Sequence, residues 1–512
     1  MTQTTKSWAE QPIKTKFLPF IFCVLYLAAS LIITAHKGMD NDSFYMIVQG
    51  RDILQNGFPE INNYTFYDNL EITVQQGPYC IAMYLIHEFL GNFGILLFAA
   101  LQQLLLFLVI EKRLRYAIND KFWTYMCAAL ICILNTCYTH TLRPENITLI
   151  LLTLDSLILE KYKSTNNPKY LYLLPLIILA EINLHASMWI FHFCMILANI
   201  TPSICKSILP SDNIKMNKHI SINIILMLLI MQLNPYHAKN IFYVFNSLDT
   251  FSWIDVSEQN ETTIASTSGI FMLITIIYAT IFISHKLAKS TTVYICLGFI
   301  FLSTTSYHST MFLVIVMTYL VHDTLIILNN KTQHKTAELI PNITLVIIPV
   351  VFLILAGYFA GITYKQIKNF DVRVHMDPAV KYIKEHDINA NVINNMNVGP
   401  YLLYHDINNI FMDSRPELLN KSINNNYNAI HDFYALTYGQ SSDETLKRYK
   451  DLQDYLEKYD IKYVIISTGI GGFSYLKGYL DNTDEYQIVD LTDYKTPEIK
   501  TDKHILYERV DD

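Results

Sequence analysis

Asp40 and Asp42 stand two residues apart, directly behind an apolar run long enough to cross a bilayer core of about 30 Å. A carboxylate held at a membrane surface can take the proton of an acceptor hydroxyl, and a general base of this kind contributes about 10²–10⁴-fold to a rate. The same two acids resemble part of a divalent-cation clamp. Mg or Mn held by Asp40 and Asp42 is therefore the one cofactor expectation that the sequence raises. Asp42 or Ser43 is expected to cap the amphipathic helix that follows, which accounts for one acid and not for both.

Cations come from four other stretches: Arg143, His185, Lys239 and His308 all lie at ends of apolar runs. They could hold an anion such as phosphate, Arg by bidentate pairing, and stabilise the charge that develops on a leaving phosphate. Glu145, Asn183 and Tyr236 share these ends, with His140, Asp255, Glu258 and Glu261 nearby. Ionisable groups at membrane depth are costly and mark functional cavities. The pattern predicts one cavity, open to the outer leaflet, for a substrate that is both lipid and phosphate. Asp155 lies mid-run and is read as bonding a neighbouring helix, with lining the cavity from below as the alternative. His322 and Asp323 are read as a solvated inner end.

The elements that must position these groups follow from composition. Of 512 residues, 52% are hydrophobic and only 16% charged, against about 25% charged in soluble domains. The net charge of −7 argues against a nucleic-acid partner. The eight cysteines contain no CxxC pair and are read as packing residues. Apolar runs at 17–35, 94–110, 122–138, 146–160, 170–184, 187–205, 219–233, 268–285, 291–304, 310–328 and 341–363 predict eleven spans. With a cytoplasmic N-terminus, Lys and Arg concentrate in the inner loops: Lys112, Arg113, Arg115 and Lys121, then Lys161, Lys163 and Lys169, then Lys206, Lys215 and Lys218. That is the positive-inside bias. It holds only if 77–91 lies in the interface without crossing.

The fold class expected is an α-helical integral membrane bundle over 1–363, including a first outer loop at 36–93, followed by an extracytoplasmic α/β domain over 364–512. The predicted location is the cell membrane. In the tail, β-like runs at Asn391–Met396, Ile410–Asp413, Lys462–Thr468 and His504–Arg509 alternate with helical patterns at Pro378–His386 and Asp443–Tyr459. Gly469-Ile470-Gly471-Gly472 is read as a turn, since a lone Gly cluster lacks the full phosphate-loop fingerprint.

Several short motifs, in order, carry a resemblance. Asp40-Asn41-Asp42, Gly50-Arg51-Asp52-Ile53-Leu54-Gln55-Asn56-Gly57-Phe58-Pro59 and Asn63-Tyr64-Thr65-Phe66 resemble the first loop of bacterial multi-pass proteins of the GT-C glycosyltransferase superfamily. Gln75-Gln76, Leu142-Arg143-Pro144-Glu145, Asn183-Leu184-His185, Leu233-Asn234-Pro235-Tyr236 and Asp413-Ser414-Arg415 fit the same group. The resemblance implies an inverting transferase that moves a sugar from a polyprenyl-phosphate donor to a glycan, lipid or protein acceptor of the cell envelope. Asp40 or Asp42 is then the base. Arg143, Glu145, Asn183, His185, Tyr236, Lys239, His308, Gln75 and Gln76 are the expected substrate contacts, and membrane lipids the surroundings. Relatives often carry a His-Glu pair near the interfacial helix, where this chain reads Val74-Gln75-Gln76-Gly77. A transporter of lipid-linked saccharides and a catalytically silent assembly protein are the alternative readings. No repeat of the kind transporters show is evident.

Overall fold

The computed structural model describes residues 18–138, 142–204, 214, 216–250, 261–263, 266–333, 372–415, 418, 445–467, 473–495 and 504–510. The predicted span at 341–363, His140, Asp255, Glu258 and the glycines at 469, 471 and 472 lie outside them. The chain opens with α1 (Leu18–Lys37), α2 (Asn41–Asn56), α3 (Gly77–Leu114), α4 (Lys121–Tyr138), α5 (Glu145–Thr165) and α6 (Leu174–Leu184). It continues through α7 (Ile190–Ile204), α8 (Lys218–Ile230), α9 (Ala238–Thr250), α10 (Thr267–Ser284), α11 (Ser290–Thr305) and α12 (Leu313–Gln333). The tail holds α13 (Val372–His386), β1 (Asn391–Ile393), α14 (Gly399–Tyr404), α15 (Thr445–Lys458), β2 (Ile461–Ser467), α16 (Ser474–Leu480), β3 (Tyr486–Ile488) and β4 (His504–Arg509).

These elements form two units. The first takes residues 1–38, 89–241 and 255–366; the second takes 39–88, 242–254 and 367–512. The sequence division counted the loop at 36–93 with the spans, whereas its residues 39–88 pack with the tail.

The first unit is helical. Among the described residues two helices are long and apolar enough to cross a membrane, 77–114 and 308–329, and five shorter apolar helices accompany them. α3 is not continuous: Gly91 has φ 61° and ψ −158°, a conformation that only glycine adopts without strain. The helix thus breaks where the interfacial segment was expected to end. One core gathers Tyr26, Phe107, Leu149, Met195, Phe299 and Phe312 from α1, α3, α5, α7, α11 and the turn before α12. Within it Tyr26 stacks on Phe107 at 4.7 Å between ring centroids. A second core joins α5, α6, α7 and α8 through Ile158, Ile178, Ile196 and Met227. Some polar side chains at helix ends are buried too. Asp323 was expected in solvent, but it is buried and accepts from the Lys289 amide at 2.9 Å and the Thr292 hydroxyl at 2.7 Å, which caps α11. A bare carbonyl-and-amide end inside a bundle needs such a partner.

The second unit is α/β. Its sheet has the order β1-β2-β4-β3, with β1 parallel to β2 and the other pairs antiparallel. The β2 sequence IKYVIIS is β-branched and buried along most of its length, as a central strand requires. The expected strand at 410–413 is present as bridges only: Ile410 pairs in parallel with Val392 and with Thr65. Through Thr65 the first loop joins this bridged edge. α2 packs on α14, with Phe44 against Tyr401 and Tyr404 at 5.1 and 5.0 Å between centroids.

Candidate functional site

In the second unit the paired acids have different tasks. Asp40 is the N-cap of α2, in extended conformation, and its Oδ1 accepts from the Ser43 amide at 2.9 Å and from the Ser43 hydroxyl. Capping was expected from Asp42 or Ser43. It falls to Asp40 because the helix starts at Asn41, which places Asp42 inside the first turn. There the helix dipole favours a negative charge. Both acids are half-buried. Gln76 starts α3, its carbonyl accepting from the Cys80 amide at 2.9 Å, and Gln75 precedes it in the same turn. α2 crosses α3 with backbones in contact at Gly50, where an added Cβ would sit 2.0 Å from the Cys80 carbonyl oxygen. Only glycine permits this approach, which fixes the helix carrying Asp42 against the helix behind Gln75 and Gln76.

The remaining first-loop motifs build the scaffold under α2. Arg415 donates from Nε and Nη2 to Asp413 at 2.6–3.1 Å and from Nη2 to Asn62 at 2.5 Å. Its guanidinium lies over the rings of Tyr45 and Tyr64, 5.3 and 5.1 Å from their centroids. Tyr64 donates to Asp52 at 2.5 Å. Burial and the neighbouring Asp52 charge push the Tyr64 phenol up, so it keeps the proton it donates. His87, in the first part of α3, is 2.9 Å from the Tyr404 hydroxyl.

In the first unit the predicted polar residues converge on one end of the bundle. Glu145 begins α5 and is 3.6 Å from His308 Nε2. Arg143, two residues earlier, is buried. One turn into α5, Thr148 Oγ1 is 2.8 Å from His185 Nδ1. His185 sits at the C-cap of α6. Three bonds tie this junction to the segment that bears Tyr236 and Lys239: Asn183 Nδ2 donates to the Leu233 carbonyl at 3.0 Å, Asn240 Nδ2 to Ile182 at 3.0 Å, and Trp189 Nε1 to Ile241 at 2.9 Å. Asn234 makes the intervening turn, accepting from the Tyr236 amide at 2.9 Å. Tyr236 is buried and Lys239 exposed. Glu261 is exposed as well.

Sequence reasoning missed two residues here. His192 Nδ1 is 2.6 Å from Asp155 Oδ2, and its Nε2 is 3.4 Å from Glu181 Oε2. Glu181 Oε1 in turn accepts from Thr148 Oγ1 at 2.6 Å. All four side chains are essentially buried. Asp155 does bond a neighbouring helix, as read. The signal for its partners was present: an acid in LLPLIILAEINL and a His in WIFHFCMIL are ionisable groups inside apolar runs.

A divalent cation needs about six oxygen ligands. Among the described residues no three His, Cys, Asp or Glu side chains converge, and one Asp40 oxygen is committed to its cap.

No family model and no curated protein sequence matches the chain. Solved structures do match it. The apo oligosaccharyltransferase of Archaeoglobus fulgidus aligns over 90% of this chain and 70% of its own, with a TM-score of 0.58 and 11% identity. The same archaeal enzyme in complex with an inhibitory peptide and a dolichol-phosphate aligns over 88% and 70%, with a TM-score of 0.53 and 11% identity. Its complex with Zn and sulfate aligns over 86% and 68%, with a TM-score of 0.55 and 11% identity. The chain shares the fold of this archaeal enzyme.

Proposed function

We propose that the protein is a membrane glycosyltransferase that moves a sugar from a polyprenyl-phosphate-linked donor to a cell-envelope acceptor on the outer face. The observation that carries the reading is the fold, shared along nearly the whole chain with a transferase whose structure is known with dolichol-phosphate. A fold alone hosts many chemistries. The reading therefore leans equally on acids directly behind the first span and on cations gathered at one end of the helical unit.

Asp40 caps the helix and Asp42, in its first turn, is taken as the base. The Asp42 carboxylate takes the acceptor proton as the acceptor oxygen bonds the anomeric carbon. The carbon–oxygen bond to phosphate breaks, and polyprenyl phosphate leaves with the electron pair. Arg143, Lys239 and His308 meet the phosphate charge, which grows in the transition state. Glu145, Asn183, His185, Tyr236, Gln75 and Gln76 complete the donor and acceptor contacts. In this topology the N-terminus is cytoplasmic and the tail extracytoplasmic.

A strain lacking the protein tests the reading through its lipid extract. A polyprenyl-phosphate sugar is expected to accumulate and to fall again when the wild-type chain is restored. An unchanged lipid profile would contradict donor use.

A further inference from the structure

His185 was grouped above with cations that hold phosphate. Its hydrogen bonding points to a different role. Thr148 Oγ1 contacts both Glu181 Oε1, at 2.6 Å, and His185 Nδ1, at 2.8 Å. A hydroxyl has one hydrogen to give. Which neighbour receives it is decided by the Glu181 oxygen that faces the hydroxyl. Both His192 nitrogens face carboxylates, Asp155 at 2.6 Å and Glu181 at 3.4 Å. Nδ1 bonds Asp155, while Nε2 and the facing Glu181 oxygen make no hydrogen bond. Glu181 Oε1 accepts in the shorter of the two Thr148 contacts, so the Thr148 proton goes to Glu181. Thr148 must then accept from His185, which places the His185 proton on Nδ1 and its lone pair on Nε2.

Two further observations agree. Among the described residues the bond to Thr148 is the only side-chain hydrogen bond His185 makes, so Nε2 has no donor there. The nearby carboxylate, Glu145, sits with His308, 3.6 Å from its Nε2.

We propose that His185 is a neutral hydrogen-bond acceptor that recognises a hydroxyl of the transferred sugar, with Thr148 and Glu181 as the positioning residues that fix its tautomer. The identity of the hydroxyl rests on the glycosyltransferase reading; the tautomer does not. The role also explains a buried series of polar groups crossing α5, α6 and α7. Such a series costs stability unless each member is held by the next.

Solid-state NMR of the full-length protein in bilayers, with ¹⁵N-histidine, tests the tautomer. The His185 resonances are assigned by their loss in His185→Asn. The wild-type ring is expected to show a protonated Nδ1 and a bare Nε2. Thr148→Val should move the proton to Nε2, and Thr148→Ser should leave it on Nδ1. A wild-type ring protonated at Nε2 or at both nitrogens overturns the proposal. A tautomer indifferent to Thr148→Val overturns the positioning role. The second arm uses the deletion strain and the lipid-linked sugar it accumulates. His185→Gln, which keeps an acceptor, should clear that lipid within about 5-fold of the wild-type rate, whereas His185→Lys should be slower by about 10-fold or more. The reverse order means a cation is needed and overturns the acceptor role. If no lipid accumulates, the sugar assignment falls with the glycosyltransferase reading, and the resonances alone decide the acceptor state.

Discussion

Arg415 and His192 are both buried basic side chains flanked by acids, one in each unit, and their surroundings differ in kind. Arg415 is enclosed. Asp413 is two residues away, Asn62 accepts from the same nitrogen, and the rings of Tyr45 and Tyr64 lie beneath the guanidinium. The cluster ties a tail segment to the first loop. His192 belongs to a series that runs from Asp155 through Glu181 and Thr148 to His185, whose second nitrogen meets no described donor. A closed cluster of this type holds a scaffold. A series with one open end sets the state of the group at that end.

Breaking the closed cluster should have the largest effect. Asp413→Ala leaves the Arg415 charge buried without its main acceptor and should cost about 3–5 kcal/mol. Limited proteolysis of the membrane-inserted protein should show the first loop and tail opening together. Resistance equal to wild type would mean that the cluster is not what joins them.

The serial network should show coupling instead. His192→Leu leaves two buried acids with no base between them, while the double variant His192→Leu, Asp155→Leu removes one of those acids. The double variant should be less destabilised than the sum of the singles by about 0.5–3 kcal/mol. Thermal unfolding in detergent reads this, and strict additivity would mean the two side chains are independent.

The smallest effect belongs to an exposed carboxylate of the tail. Hydrogen bonds from Lys477 and Tyr507 hold the Asp481 carboxyl below its usual range. A depressed folded value gives stability that is present above the ordinary Asp pKa and lost as pH falls through the folded value. Asp481→Asn should thus destabilise the protein at pH 7 by less than about 1 kcal/mol, given solvent screening. The deficit should vanish in acid. A deficit that grows in acid would contradict the sign.

Part of this was legible in the sequence. The tail runs at Lys462–Thr468 and His504–Arg509 correspond to β2 and β4, since both are apolar and β-branched enough to stand out. β3, three residues from Tyr486 to Ile488, is too short to announce itself, and its pairing with β4 is a tertiary matter. The break at Gly91 lay between two apolar patterns and was readable. That the first loop packs with the tail was not, because Asn62 and Arg415 are 353 positions apart. In the candidate site, helix capping was anticipated but assigned two or three residues late, to Asp42 or Ser43 instead of Asp40. Asp155 stood out as an acid in an apolar run. His192 and Glu181 carried the same signal, but His185 drew attention as a cation at a span end, and its neutral state depends on a chain of contacts that no spacing rule reveals.

Sugar transfer by membranes carrying Asp42→Asn tests the central claim most directly, with the membrane content of the protein measured alongside. Transfer from the accumulated lipid-linked donor should drop by about 10²-fold or more while insertion stays at the wild-type level. Asp40→Asn, which keeps a competent cap, should retain most of its transfer. Undiminished transfer in both variants would contradict a first-loop carboxylate acting as the base.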